Sequence, residues 1–246
     1  MEYIKNFKES LKLGNKFWLV VLMDLIFYAI FVPVFFIYGF IVNKKALYLQ
    51  QVIGTTDVLN YLETASALEI NMMTADLRGF IIVFLVGILI VFLIGLFSYS
   101  YSRSLIWNYL LERKFNFLKY LKFNWLNLLL LIALAILIAL YSFFMIINQI
   151  LFGIILLFLM IGIMYFIFAL YIEYTKTGRI FHSIGNAFML MDKKVYLLCL
   201  PVFIIISLIS FIISLFVGQT LNSIISIILL ILFATWMRIF ILKSHN

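Results

Sequence analysis

The chain has 246 residues, 67% of them hydrophobic, 18% aromatic and only 11% charged, with a formal net charge of +8. A soluble domain carries about half apolar and about a quarter charged residues, so this composition excludes a water-coated globule and specifies an integral membrane protein. The lone Cys199 excludes an internal disulfide or a cysteine metal cluster, and a basic excess placed beside apolar runs reads as topology and anionic lipid rather than nucleic acid.

The first element is a short helix over the N-terminal residues. At 100° per residue Tyr3, Ile4, Phe7 and Leu11 share one side, while Glu2, Lys5, Lys8, Glu9, Lys12 and Lys16 take the other. Trp18 follows at the start of an apolar run from Phe17 to Val42 that has no small-x-small cleavage pattern and reads as an uncleaved signal anchor. A bilayer core of about 30 Å needs about 20 helical residues, and this run is the first of six that qualify. Asp24 lies seven residues in from Phe17, roughly 10 Å along the helix axis at about 1.5 Å per residue. Pro33 falls further along the same span and could kink it.

The connection from Asn43 to Arg78 is acidic, with Asp57, Glu63, Glu69 and Asp76. Val58, Leu59, Leu62, Ala65 and Leu68 fall at helical spacing there, and Asp57 is placed to cap the N-terminus. A short amphipathic helix over the outer face is expected, either a packed lid or a surface that gates substrate or meets a partner.

The second span runs from Gly79 to Tyr101, followed by Arg103 and a basic segment, Leu110 to Lys122, with Lys119 and Lys122 ahead of Trp125. Spans from Trp125 to Ile147 and from Ile150 to Ile172 are joined by so short a turn, Asn148 and Gln149, that they must run antiparallel. A third amphipathic segment places Ile180, Phe181, Ile184, Ala187, Phe188 and Met191 in one stripe, with Lys193, Lys194 and Tyr196 leading into the fifth span, Val195 to Val217, which contains Pro201. The sixth, Asn222 to Leu242, carries Arg238 four residues from its end. Gly87 and Gly95, Ala135 and Ala139, Gly153 and Gly162, and Ser210 and Ser214 offer faces for close helix contact.

Positive charges assign the sides. Lys5, Lys8, Lys12 and Lys16, then Arg103, Arg113, Lys114, Lys119 and Lys122, then Lys176, Arg179, Lys193 and Lys194, and finally Arg238 and Lys243 all fall on one side, against Lys44, Lys45 and Arg78 on the other. Both termini are therefore expected in the cytoplasm of a cell or inner membrane. The anchors Trp18, Trp125 and Tyr196 are 107 and 71 residues apart, a difference equal to the 36 residues from Asn43 to Arg78. A threefold unit follows: a basic interfacial helix, an aromatic anchor and a helical hairpin, over 1–101 with the insertion 43–78, then 102–172, then 173–246. The expected architecture is all-α, six transmembrane helices as three hairpins in a single membrane domain.

The stretch from Glu173 through Thr177, Gly178, Arg179 and Ile180 to Leu190, Asp192, Lys193, Lys194 and Tyr196 resembles the segment before the fifth span of the six-helix membrane domain attached to some glycerophosphodiester phosphodiesterases and found in related bacterial and archaeal membrane proteins. The resemblance implies the same arrangement of spans and transfers no catalytic residue, because the phosphodiesterase domain is not in this chain.

Ionisable groups inside spans are costly and are candidates for function. Asp24 is the clear case, and Arg103 and Arg238 lie at compatible depth, so a pairing of Asp24 with one of them is expected, as a structural lock or as part of a proton or ion path. His182 and His245 are too far apart for a metal motif, and no phosphate loop, nucleophile elbow or His-Glu-x-x-His occurs. No cofactor or metal is expected, and no enzyme activity. The leading expectation is a scaffold that organises anionic lipid headgroups, a protein partner or further copies of itself. The alternative is a small transporter or channel subunit using Asp24.

Overall fold

A computed structural model describes residues 2–12, 14–53, 66–145, 149–216 and 218–245. Among them the chain is all-α, without a strand: α1 (Glu2–Ser10), α2 (Asn15–Ile53), α3 (Ala67–Leu110), α4 (Phe117–Met145), α5 (Gln149–Thr177), α6 (Ile180–Leu190), α7 (Lys193–Phe216) and α8 (Gln219–Ser244). Six of these, α2 to α5 with α7 and α8, are long and apolar enough to cross a membrane. Pro33 and Pro201 sit inside α2 and α7 without ending them, as neighbouring groups permit in transmembrane helices.

The described parts of the connection expected from Asn43 to Arg78, residues 43–53 and 67–78, are helix. The 39 residues of α2 and 44 of α3 extend well past the expected spans, and at about 1.5 Å per residue each exceeds a bilayer core of about 30 Å. The reason is local: neither Asn43 to Ile53 nor Ala67 to Arg78 contains glycine or proline, so nothing within either stretch stops propagation. Asp57, Val58, Leu59, Glu63 and the rest of the expected lid helix up to Ala65 lie outside the described residues, whereas Leu68 belongs to α3.

The chain forms two compact units, one of residues 26–99 and the other of residues 1–25 with 100–246. In the first, α2 and α3 pack through aromatic rings set against glycines. Phe27 meets Tyr99 edge to face at 5.6 Å, and Tyr38 donates from its hydroxyl to the Phe84 carbonyl at 2.9 Å. A Cβ at Gly95 would lie 2.8 Å from Cε2 of Phe31, and one at Gly87 would overlap the Tyr38 ring. Gly87→Leu should therefore displace Tyr38 and cost about 1–3 kcal/mol by overpacking, read as a lower midpoint of thermal unfolding in detergent; an unchanged midpoint would show that these two helices are not packed here.

In the second unit α5 and α8 form the centre: 56% of the α5 span and 50% of the α8 span are buried, against 22% of α4 and 11% of α7. Ser210 and Ser226 join α7 to α8 through their hydroxyls at 2.6 Å, and Phe123 of α4 lies 4.9 Å from Tyr171 of α5. The outward residues are bulky and apolar, among them Trp18, Trp125, Ile132, Phe211 and Leu215, while the buried ones include Asp24, Ser100, Arg103, Asn127, Thr235 and Arg238. An apolar exterior, with polar groups buried beside apolar ones such as Ile106 and Phe240, is what a bilayer imposes, because lipid solvates Phe and Leu as well as a protein core does and leaves polar groups to find one another.

Two short helices close one end of this unit. Helix α1 docks on α8: Phe7 packs edge to face on Trp236 and Phe240, Trp236 Nε1 donates to Ser10 Oγ at 3.0 Å, and Lys243 Nζ donates to the Glu9 carbonyl at 3.1 Å. Helix α6 folds back on α5 through a two-residue link in which Gly178 takes φ +70° and its N–H caps the Tyr174 carbonyl at 2.7 Å. A left-handed residue at this position ends a helix at little cost only when it is glycine or asparagine.

The expected middle interfacial helix, over Leu110 to Lys122, is not a separate element. Helix α3 ends at Leu110, residues 111–116 form a loop, and α4 begins at Phe117 and continues without a break into the span. Asn116 caps that start, its Oδ1 accepting from the Lys119 N–H at 3.1 Å, and no glycine or proline then intervenes before Trp125. Lys119 and Lys122 thus occupy the first turns of a membrane span. On α6 Ser183 is buried beside Thr177 of α5, and Ala187, from the expected apolar stripe, is buried as well, while Phe181 and Phe188 of that stripe are exposed, as are Met189, Ile4 and Leu11. The small side of α6 seeks protein contact and the bulky side is left for lipid.

Candidate functional site

The buried charge cluster is built by α2, α3 and α8. Asp24 is 1% exposed, and its Oδ1 accepts from the Arg103 guanidinium while its Oδ2 accepts from Arg238 Nη1 at 2.5 Å. Two guanidinium groups share one carboxylate, each using a different oxygen. Thr235, one turn before Arg238 on α8, places Oγ1 3.5 Å from Oδ2, and the Arg238 guanidinium carbon lies 5.2 Å over the Phe168 ring, a contact that favours a desolvated cation. Phe168 in turn lies 6.0 Å from Trp107, one turn beyond Arg103 on α3 and fully buried. Small residues make this approach possible: α3 reads Ser98, Ser100, Ser102 and Ser104 around Arg103, and Ser102 Oγ donates across to the Met23 carbonyl at 3.2 Å.

A second polar link lies on α3, α4 and α5. Asn127 Nδ2 donates to Ser100 Oγ at 2.8 Å, and the Tyr171 hydroxyl donates to Asn127 Oδ1 at 2.5 Å. Neither this link nor the roles of Thr235, Ser102 and Phe168 were expected from the sequence. The available signal was the recurrence of Asn124, Asn127 and Ser100 near the basic ends of otherwise apolar spans.

Around the cluster lies a basic end formed by α1, the loop 111–116, and the neighbouring ends of the long helices. Arg113 Nη1 donates to the carbonyls of Thr175 at 3.1 Å and Lys176 at 2.7 Å, satisfying the C-terminus of α5 with a cation. Lys16 Nζ pairs with Glu112 at 2.7 Å, and that hydrogen bond holds the Glu112 carboxyl below its ordinary range. Asp192 is lowered likewise, chiefly by the Tyr3 hydroxyl, which donates to it at 2.6 Å. The Tyr165 hydroxyl donates to the Leu190 carbonyl at 3.0 Å, accepts from the Asp192 N–H at 2.9 Å and lies 3.1 Å from His245 Nε2. Burial lowers the His245 pKa.

Of the basic and aromatic anchors, Lys12, Lys16, Lys119, Lys122, Lys193 and Lys194 are exposed, as are Trp18 and Trp125. Tyr196 is half-buried and donates to the Phe158 carbonyl at 2.9 Å. Lys194 Nζ sits 5.6 Å over the Tyr3 ring. These residues share one end of the unit and do not converge on a single point. A cavity of about 330 Å³ is lined by Gly162, Tyr165, Asp192, Lys193 and Tyr196, and another of about 430 Å³ by Lys16, Glu112 and Lys243 with leucines. Asp24 lines neither. Among the described residues no group of three or more His, Cys, Asp and Glu could hold a metal ion.

No family model matches the chain, and neither a curated protein nor a solved structure matches it. The resemblance of residues 173–196 to the phosphodiesterase-associated membrane domain is left without further support, and the functional reading rests on the geometry.

Proposed function

We propose that this multi-pass membrane protein is a non-enzymatic scaffold that gathers anionic lipid headgroups at its basic end, with that end and both termini facing the cytoplasm. The observation that carries this reading is the pairing, at one end, of exposed lysines on α1, α4 and α7 with exposed apolar side chains on the two short helices: Phe181 is 83% exposed, Met189 86%, Phe188 64% and Ile4 56%. Apolar groups beside a ring of cations are the mark of helices that lie in the headgroup plane. The orientation follows from the same lysines, since cations are retained on the cytoplasmic side.

The burial of Asp24 between two guanidinium groups favours a lock over a conduction path, and so favours a scaffold over a small transporter or channel subunit. A carboxylate that takes up and releases protons or ions needs access to water.

Each lysine near an anionic surface contributes about 1 kcal/mol. Changing Lys5, Lys8, Lys12, Lys193 and Lys194 together to Gln should therefore lower retention of anionic lipid, measured by mass spectrometry of the detergent-purified protein, by at least about tenfold. Retention equal to that of the unaltered chain would overturn the proposal.

A further inference from the structure

The groove bounded by Lys16, Leu110, Leu111, Glu112, Leu242 and Lys243, about 430 Å³ in volume, contains a residue that the fold alone does not call for. Helix α3 closes with the Arg113 N–H bonded to the Asn108 carbonyl at 2.8 Å and the Glu112 N–H to the Tyr109 carbonyl at 3.2 Å. That closure places Glu112 in the left-handed region at φ 54°, where an L side chain carries a steric cost. The chain ends α5 with the same left-handed step and uses glycine there, Gly178 at φ +70°. A glutamate in this place is a local conflict, of the kind that collects at ligand sites.

Its ion pair does not offset the conflict. Lys16 and Glu112 are 59% and 78% exposed, and pairs that open to solvent shift a folding equilibrium by a few-fold at most. What the left-handed turn does achieve is to set one carboxylate, paired with the Lys16 ammonium at 2.7 Å, in the lining of a groove that Lys243 and leucines also line. Lys243 is anchored from behind, its Nζ donating to the Glu9 carbonyl at 3.1 Å, with further donors to spare.

We infer that this groove binds the headgroup of a phospholipid bearing a free amine, with the phosphate against Lys16 and Lys243, the amine on Glu112 and the glycerol end along Leu110, Leu111 and Leu242. Two cations and one anion lining one groove complement a phosphate and an ammonium on one small molecule. Lipid is the source that the leucine walls favour. The inference rests on the reading of the basic end as a lipid-facing surface and adds to it a headgroup preference at one site.

The test uses the full chain in detergent micelles titrated with phosphatidylethanolamine, phosphatidylcholine or phosphatidylglycerol and read by native mass spectrometry. The unaltered protein should retain the ethanolamine lipid about fivefold over the choline lipid, the ratio expected of one exposed charge contact. Glu112→Gln should bring that ratio to about one while leaving phosphate binding in place. Glu112→Gly should do the same and also raise the melting temperature, because the strain is relieved. Lys16→Met with Lys243→Met should lose all three lipids at this site.

If both Glu112 variants keep the full preference, the inference fails and Glu112 is only a strained turn. Displacement of the lipid by soluble phosphoethanolamine at equal concentration would also overturn it, by moving the source from lipid to a free phosphoamine. The five-lysine variant separates this inference from the broader proposal. Loss of bulk anionic lipid in that variant with no effect of Glu112→Gln sinks the groove alone, whereas the opposite pair of results sinks the broader reading and keeps the groove.

Discussion

Asp24→Ala should destabilise the protein by about 3–5 kcal/mol, the usual consequence of removing one partner from a buried ion pair, and should lower the thermal midpoint in detergent by roughly 10 °C for a chain of this size. The loss comes from what remains. Arg103 and Arg238 are 6% and 3% exposed, and without the carboxylate two guanidinium groups face each other in a medium where even one is costly. Asp24→Asn should lie between, because its amide keeps one acceptor for two donors. A midpoint within about a degree of the unaltered protein for Asp24→Ala would show that the carboxylate carries no structural load, and would reopen a conduction role.

The second large effect is expected at Trp107. It is fully buried, 6.0 Å from Phe168 and 6.4 Å from Tyr171 between ring centroids, and truncation of a buried aromatic costs about 3–5 kcal/mol through the cavity it leaves. In a bilayer the loss is of van der Waals contact rather than of hydrophobic transfer, so Trp107→Ala should fall near the lower end, with Trp107→Phe retaining most of the stability. Because Phe168 lies between Trp107 and the Arg238 guanidinium, Trp107→Ala and Asp24→Ala should not be additive. Equilibrium unfolding of the two single variants and the double variant measures this. Strict additivity would show that the aromatic stack and the ion cluster are independent.

The six spans were legible because an unbroken run of about 20 apolar residues has few alternatives to a membrane helix. Their ends were not, because hydropathy falls at Asn43 while helix propensity does not, and α2 continues to Ile53 through Lys44, Lys45, Ala46 and Leu47. The depth of Asp24, Arg103 and Arg238 could be read by counting residues, and the structure brings all three together. That both arginines would be used, one on each carboxylate oxygen, required the geometry of three helices.

The short helices show a different limit. A helical wheel finds the apolar side of α6 but cannot tell whether that side meets protein or lipid. Here Ser183 and Ala187 are buried and Phe181 is exposed, the reverse of a soluble helix, since lipid accepts bulky groups and protein contact selects small ones. The middle elbow, expected over Leu110 to Lys122, is not a separate helix, because the basic residues before Trp125 mark a membrane boundary whether or not the helix breaks there. The left-handed Glu112 had no signal at all, as glutamate is not the residue type that predicts such a turn.

We propose that Asp24, Arg103 and Arg238 form a closed lock and not a working site. Replacing all three at once, Asp24→Leu with Arg103→Met and Arg238→Met, tests it most directly, because exchanging a whole buried ionic cluster for apolar residues is often neutral or stabilising. Thermal unfolding of this triple variant in detergent should occur within a few degrees of the unaltered protein, well above Asp24→Ala, with retention of anionic lipid unchanged. A triple variant that keeps its midpoint but loses lipid retention would rule out a purely structural lock, because the cluster would then serve function rather than fold.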